Sequence, residues 1–411
     1  MRMHVALGGS VAVAMALTAP LWADEAMAAT RLTEAVAAAP AVTAARLRLE
    51  ASLARQSTAG RRADASLTGM YAEKRTPAAD IPIWEFSLEQ PLPKWGERAA
   101  DQRGSDARAA MARAELALVA GDTAAESAMR LAEAGTARQR QALIVQQQEH
   151  LARALSALDA RIGTGQSRAA ERLILQSRLA DMQLMVAREE QMALDAESLV
   201  RAQLGLDGSA PLPAFEAPAL GELDIEAAPA VRLAEARVHE ASAMDDMARA
   251  SRMPMTAVGL RFEREDMPDG AEDTVGLALM TELPWHRSGY ARADGAAARA
   301  ERDAGRADAE AARRQTEALR GQVQRAEQQA DLARRLAADH DARLDAQYEV
   351  MLRAAGTAEM DAEMPVLMLV DILEQRTRVW MQVVEAEGSA RLSRAALWRL
   401  VTEDSYVSLG E

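Results

Sequence analysis

The sequence predicts a mainly α protein with a small β part, built twice from one unit of two strands and a long helical hairpin. Three observations predict it. Short signatures recur about 190 residues apart, four stretches of about ten residues alternate apolar and polar positions, and two helical patterns run past sixty residues without a proline.

The recurrence orders everything else. Ala39-Pro40-Ala41-Val42 returns as Ala228-Pro229-Ala230-Val231, each copy opening a helical stretch. Gly69 matches Gly259, and Leu92-Pro93 matches Leu283-Pro284, each Leu-Pro closing a strand-like run ahead of a long helix. Farther on, Leu173-Ile174, Gln176 and Met182-Gln183 match Ile372-Leu373, Gln375 and Met381-Gln382. The predicted organisation is a first repeat over 24–206, a proline-rich linker over 207–229, a second repeat over 230–402 and a tail over 403–411.

Strands are predicted at 65–74, 83–92, 255–264 and 273–283. Trp84, Phe86 and Leu88 alternate with Glu85, Ser87 and Glu89; Val258, Leu260 and Phe262 with Gly259, Arg261 and Glu263; and Val275, Leu277 and Leu279 keep the same period. Strands of this length and two-faced pattern suit a tilted outer-membrane strand. Seven of the thirteen aromatics (Tyr71, Trp84, Phe86, Trp95, Phe262, Trp285, Tyr290) fall in the two strand windows, as interface girdles require. A soluble sandwich burying Trp84 and Phe86 is the alternative, but four strands make a poor independent core, and lipid does not tolerate open edges. In a membrane, strands from other chains must complete the sheet.

The first hairpin is predicted over 97–206, with its tip at 163–167. A coiled-coil stripe of Ile144, Leu151, Leu155, Leu158 and Ile162 marks its first arm, which at 1.5 Å per residue is ~100 Å long. The returning arm ends at Gly205, Asp207 and Gly208 and covers only ~60 Å. A helix over 230–252 adds ~35 Å, so two short helices match one long one. The second hairpin, 287–402 with its tip near 356–365, repeats this with the helix over 33–56 as its short partner.

Residues 1–23 read as a secretory signal peptide: Arg2, an apolar run over 5–19, then small residues that permit cleavage after Ala23 or after Ala28. No later run is long and apolar enough for a transmembrane helix. There is no cysteine, so disulfides, thiolate sites and an N-terminal lipid anchor are excluded. With 62 acidic and 48 basic residues the net charge is −14 and no basic block forms, which argues against nucleic acid. The histidines are scattered singly and no nucleophile elbow or phosphate-cradling loop is present, so no catalytic or cofactor site is predicted.

The segments Arg31-Leu32-Thr33-Glu34-Ala35-Val36, Glu89-Gln90-Pro91-Leu92-Pro93-Lys94-Trp95-Gly96-Glu97-Arg98, Arg161-Ile162-Gly163-Thr164-Gly165-Gln166-Ser167 and Glu282-Leu283-Pro284-Trp285, in that order within a duplicated unit, resemble the outer-membrane efflux (TolC-like) family. The Pro-Lys-Trp-Gly-Glu-Arg wording resembles its CzcC-like heavy-metal branch. The resemblance implies a homotrimer with a 12-strand transmembrane β-barrel continued by a 12-helix periplasmic α-barrel. It also implies a periplasmic adaptor gripping the hairpin tips and an inner-membrane pump of the RND type. A periplasmic coiled-coil adaptor or spacer would explain the hairpins too, but would not need amphipathic strands with aromatic rims.

Three sets of candidate residues follow. Trp84, Phe86, Leu88, Val258, Leu260, Phe262, Val275, Leu277 and Leu279 are expected to face lipid. Gly163, Thr164, Gly165, Gln166 and Ser167 are expected to form the adaptor-docking tip, the point farthest along the helix from the strands. Asp361, Glu363, Asp371 and Glu374 are candidates for carboxylate rings at the aperture, or for a solvated helix surface. Met360, Met364 and Met368 share a helical spacing that suits a soft-metal ladder or, more simply, apolar contacts, and Pro365 interrupts the series.

Overall fold

The computed structural model describes residues 31–75, 80–163, 169–267, 269–282, 287–356 and 365–401. Seven α-helices and four strands follow in the order α1 (Leu32–Ala38), α2 (Pro40–Gln56), β1 (Ser66–Arg75), β2 (Asp80–Leu92), α3 (Glu97–Gly163), α4 (Ala169–Leu204), α5 (Pro229–Ala250), β3 (Met255–Met267), β4 (Gly270–Glu282), α6 (Arg287–Gly356) and α7 (Pro365–Ala395). A 3-10 turn, Ala396–Leu400, ends the described chain. The signal peptide, the tail over 403–411 and the turn at Leu283-Pro284-Trp285 lie outside the described residues.

The long helices α3 and α6 have 67 and 70 residues, ~100 and ~105 Å. They form one layer with the shorter helices: α3 packs against α2, α4, α5 and α7, and α6 against α5 and α7. Alanine makes this possible, because much of what α3 buries is Ala, Ala120, Ala124, Ala125 and Ala128 among it. Small side chains let helix axes approach closely.

Two expectations are corrected. The helix expected over 33–56 is broken at Ala39, which adopts an extended ψ of 142° because Pro40 disfavours the α region in the residue before it. That short helix also does not run beside the second long helix. Val42, Ala45 and Leu49 of α2 join Leu116 and Ala120 of α3, and Val200 and Leu204 of α4, in one core. Gly205, at φ +67°, lies so close to Pro40 that a Cβ there would sit 3.0 Å from the proline ring. So α4 stacks end to end with α2. Val231 of α5 instead meets Leu397 and Leu400 beyond α7 and Val323 of α6, which puts α7 end to end with α5.

At this middle level the 396–400 turn crosses α3 over Gly121, where an added Cβ would lie 2.8 Å from the Trp398 carbonyl oxygen. The Trp398 indole N–H donates to the Glu216 carbonyl at 2.9 Å, tying the proline-rich linker to the same knot.

The strands form one antiparallel sheet in the order β1-β2-β3-β4. β2, β3 and β4 reach farther toward their loops than expected, because Met267 pairs with Gly270 and only two residues separate β3 from β4. β2 is central yet holds Pro82 and Pro91. Each lies where only one neighbour is in register, Glu73 opposite Pro82 and Ala257 opposite Pro91, so the missing N–H breaks no ladder on the open side.

Candidate functional site: an inside-out sheet and a polar helical tip

The register sorts the sheet into two chemically opposite faces. Leu67, Leu88, Leu260 and Leu277 form one row across the four strands, and Gly69, Phe86, Phe262 and Val275 the next. Val258 stands beside Leu279 in a third row. The opposite face carries Met70, Glu85, Glu263 and Thr274 in one row and Thr68, Ser87, Arg261 and Gly276 in another.

Exposure is reversed from that of a soluble sheet. Leu277 is 84% exposed and Leu279 73%, whereas the Glu85 side chain is 19% exposed. Trp84, Phe86, Leu88, Val258, Leu260 and Val275 are also exposed, and Phe262 is half-buried. The predicted apolar set therefore shares one face, and that face is the bare one. In water such a face loses its whole hydrophobic contribution, and exposed patches of this kind mark a surface that something apolar covers.

The shielded polar face holds its charges in pairs. Arg261 donates to Glu85 and to Glu263, both at 3.0 Å, and Lys74 reaches Glu265 at 3.4 Å. Acids still prevail there: Glu85, Glu89, Glu263, Glu265, Glu272 and Glu282 against Lys74 and Arg261. Toward the β1–β2 and β3–β4 loops the apolar face ends in the tilted pair Tyr71–Trp84, ring centroids 4.8 Å apart. The same row continues as Arg264 and Asp273, with Arg264 near Asp266 and Asp273, and beyond it Arg75 lies near Asp80. An apolar band that ends in aromatic rings and charge is the sequence of environments from hydrocarbon to headgroup.

At the other end of the molecule, Leu151 and Leu158 of α3 pack with Leu175 and Met182 of α4 and Val370 of α7 in a separate core. Gly163 is the last residue of α3, while Thr164, Gly165, Gln166 and Ser167 lie outside the described residues, as do Asp361, Glu363, Met360 and Met364. Met368 is described and exposed, on an open groove with Val350, Met351 and Ile372.

Asp371 and Glu374 do not stand as free acids. Arg178 of α4 donates to Asp371 at 3.1 Å and to Glu374 at 2.8 Å. Arg178 escaped the reading of the sequence, although the match of Leu173-Ile174 with Ile372-Leu373 already sets the two segments at one depth. One turn on, Arg376 binds Asp341 at 2.7 Å and Asp345 at 3.0 Å, joining α7 to α6. Those acids hold the Arg376 guanidinium above its ordinary pKa, against the desolvation that is the larger single influence. Nearby His150 lies 3.2 Å from Arg153. Burial lowers its pKa first, Arg153 and Arg376 lower it further, and Glu149 opposes them.

Among the described residues no group of three or more His, Asp or Glu side chains is placed to hold a metal ion, and no helix is long and apolar enough to cross a membrane. What remains is a sheet with one bare apolar face and one charged face, carried on helices of about 100 Å. Outer-membrane proteins of known structure share this architecture.

Solved structures bear this out at the level of fold. The outer-membrane protein VceC of Vibrio cholerae superposes with a TM-score of 0.72 at 15% identity, covering 90% of this chain and 94% of that one. A membrane protein from Pseudomonas aeruginosa gives 0.70 at 17% identity, over 90% and 89% of the two chains. The Campylobacter jejuni CmeC outer-membrane channel gives 0.69 at 12% identity, over 92% and 88%. No protein-family model and no curated protein sequence matches the chain.

Proposed function

We propose that this chain is one protomer of a homotrimeric outer-membrane exit duct in a tripartite efflux system, not an enzyme. The carrying observation is the inverted sheet: Leu67, Val275, Leu277 and Leu279 are exposed, while Glu85 and Glu263 are shielded. Lipid is the solvent in which that arrangement is stable. β1 and β4 each leave one edge unpaired among the described residues, and a membrane strand must have both edges bonded. Three copies of four strands close a barrel. The helical layer has matching free flanks, with Leu184 and Leu194 exposed on α4 and Leu332 and Leu336 on α6.

The two runs of strand, strand, long helix and returning helix support a duplicated unit. The helices stand in the periplasm, where a periplasmic adaptor grips the tips around Gly163–Ser167 and joins the duct to an inner-membrane pump of the RND type. The duct has no energy source and conducts passively. The excess of acids on the polar face favours cations, which supports metal cations or small cationic toxicants as cargo and agrees with the CzcC-like wording of 93–98. Asp361, Glu363, Asp371 and Glu374 then belong to the aperture, the last two held by Arg178.

Fractionation and native mass test the proposal. The protein should need detergent for extraction from outer membranes and emerge as a trimer. A stable soluble monomer rules the duct out and returns the periplasmic spacer.

A further inference from the structure

Resting on the reading that the sheet spans the outer membrane, we infer that the crossing from sheet to helices is a binding surface for anionic phospholipid headgroups of the periplasmic leaflet. It is centred on Arg61, Arg62 and Trp95.

Trp95 is 89% exposed, more than any other large apolar side chain among the described residues. Tyr290, at the other strand-to-helix crossing, is 76% exposed. Neither ring is used in packing the chain. An indole left in water wastes its apolar area, whereas at the headgroup level it satisfies both its ring and its N–H.

The strand ends put charge at the level of Trp95. Gln90 of β2 donates to the Ala63 carbonyl at 2.7 Å, Arg98 Nε donates to the Gly60 carbonyl at 2.8 Å, and Gly60 N donates to Asp101 at 2.7 Å. The 60–63 segment is thus pinned along the end of β2 and the start of α3, and Trp95 lies between the pinning residues in the chain. Arg61 and Arg62 ride on that segment, exposed and without an ion pair among the described residues. Of the acids close by, Asp101 accepts from Gly60 N and Glu97 accepts from Lys94 N at 2.9 Å, which leaves the exposed Asp64 as the one acid against two arginines on the 61–64 stretch.

Elsewhere most arginines are paired, and the chain carries a net charge of −14. A polyanion of that kind is repelled by an anionic leaflet unless cations are held at the contact level. Two unpaired guanidinium groups on a segment pinned at the level of an exposed indole, at the end of a bare apolar face, supply the phosphate ligands and the interfacial anchor together. Phosphatidylglycerol has the chemistry that this surface recognises.

The test uses the full protein purified in detergent. Native mass spectrometry counts lipids retained on titration with phosphatidylglycerol or with phosphatidylcholine of equal chain length, for the wild type and for the Arg61→Gln/Arg62→Gln double variant. The wild type should retain phosphatidylglycerol preferentially. The double variant should lose that preference by roughly five-fold per arginine removed, with oligomer mass and membrane insertion unchanged. Equal retention of the two lipids by the wild type, or an undiminished preference in the variant, overturns the inference while leaving the duct intact. A protein that leaves the cell envelope without detergent as a soluble monomer refutes the membrane reading itself, and this inference with it.

Discussion

Leu277→Arg puts a guanidinium on the most exposed position of the apolar face, in the row shared with Leu67, Leu88 and Leu260. No acid stands in that row, so the charge has no cross-strand partner. At mid-bilayer such a substitution costs about 2–4 kcal/mol per chain, a factor of roughly 30 to 900 in the folding equilibrium. The proposed homotrimer would carry it three times. Thr274→Arg is the matched control: it lies three residues away in the same strand but on the shielded face, directly opposite Glu263, where an arginine gains a partner. Refolding into vesicles under a urea titration measures both variants, and outer-membrane yield gives the same comparison in cells. Leu277→Arg should fold at markedly lower urea than wild type while Thr274→Arg stays close to it. Equal behaviour of the two, or better solubility with normal folding for Leu277→Arg, refutes the assignment of the apolar face to lipid.

Three further outcomes are expected. Gly121→Ala should lower the thermal midpoint despite the better helix propensity of alanine, because its Cβ would press on the Trp398 carbonyl and the Arg399 backbone; Gly321→Ala, which meets only the flexible end of Arg325, should instead gain about 1 kcal/mol. Arg178→Ala should change stability by at most about 1 kcal/mol, since the pairs are partly exposed, yet raise the cation preference of single channels in planar bilayers by freeing Asp371 and Glu374; an unchanged selectivity would remove those acids from the conduction path. The folded pKa of His150 lies below its ordinary value, so the unfolded chain binds the extra proton. The neutral ring's contribution is full above pH ~6.5 and is lost as pH falls through the folded value. Thermal unfolding followed down that range should lose more stability in wild type than in His150→Gln, and parallel curves would contradict the burial assigned to the ring.

The strands were legible because their signal is local: Trp84-Phe86-Leu88 and Val275-Leu277-Leu279 each declare a face with period two, and the register then joins those faces into rows. Their ends were less so, because Pro82 reads as a breaker until the neighbour it lacks is known. The break at Ala39 was carried by Pro40 itself. How the short helices stack was not legible, since it depends on single close approaches, Gly205 on Pro40 and Gly121 under Trp398, that leave no periodic trace. Arg178 falls between the two cases. Its partners are nearly two hundred residues away in the chain, and only the internal match sets them at one depth.

These differences explain why the functional reading rests on the sheet and not on the helices. An alanine-rich hairpin of about 100 Å serves a duct, an adaptor or a spacer equally well, because its buried seam of small residues is satisfied by any helical neighbour. The charge pairs along its flanks, such as Arg334 with Glu387 at 2.6 Å or Arg376 with Asp341, hold helix to helix in each of those cases. The sheet allows no such freedom. A register that gathers leucine, phenylalanine and valine on one exposed face and six glutamates on the other is poorly suited to water and suited to lipid on one side and an aqueous pore on the other. On the proposed reading the ~100 Å helices then have one consistent use, to carry the pore's interior away from the membrane as a tube.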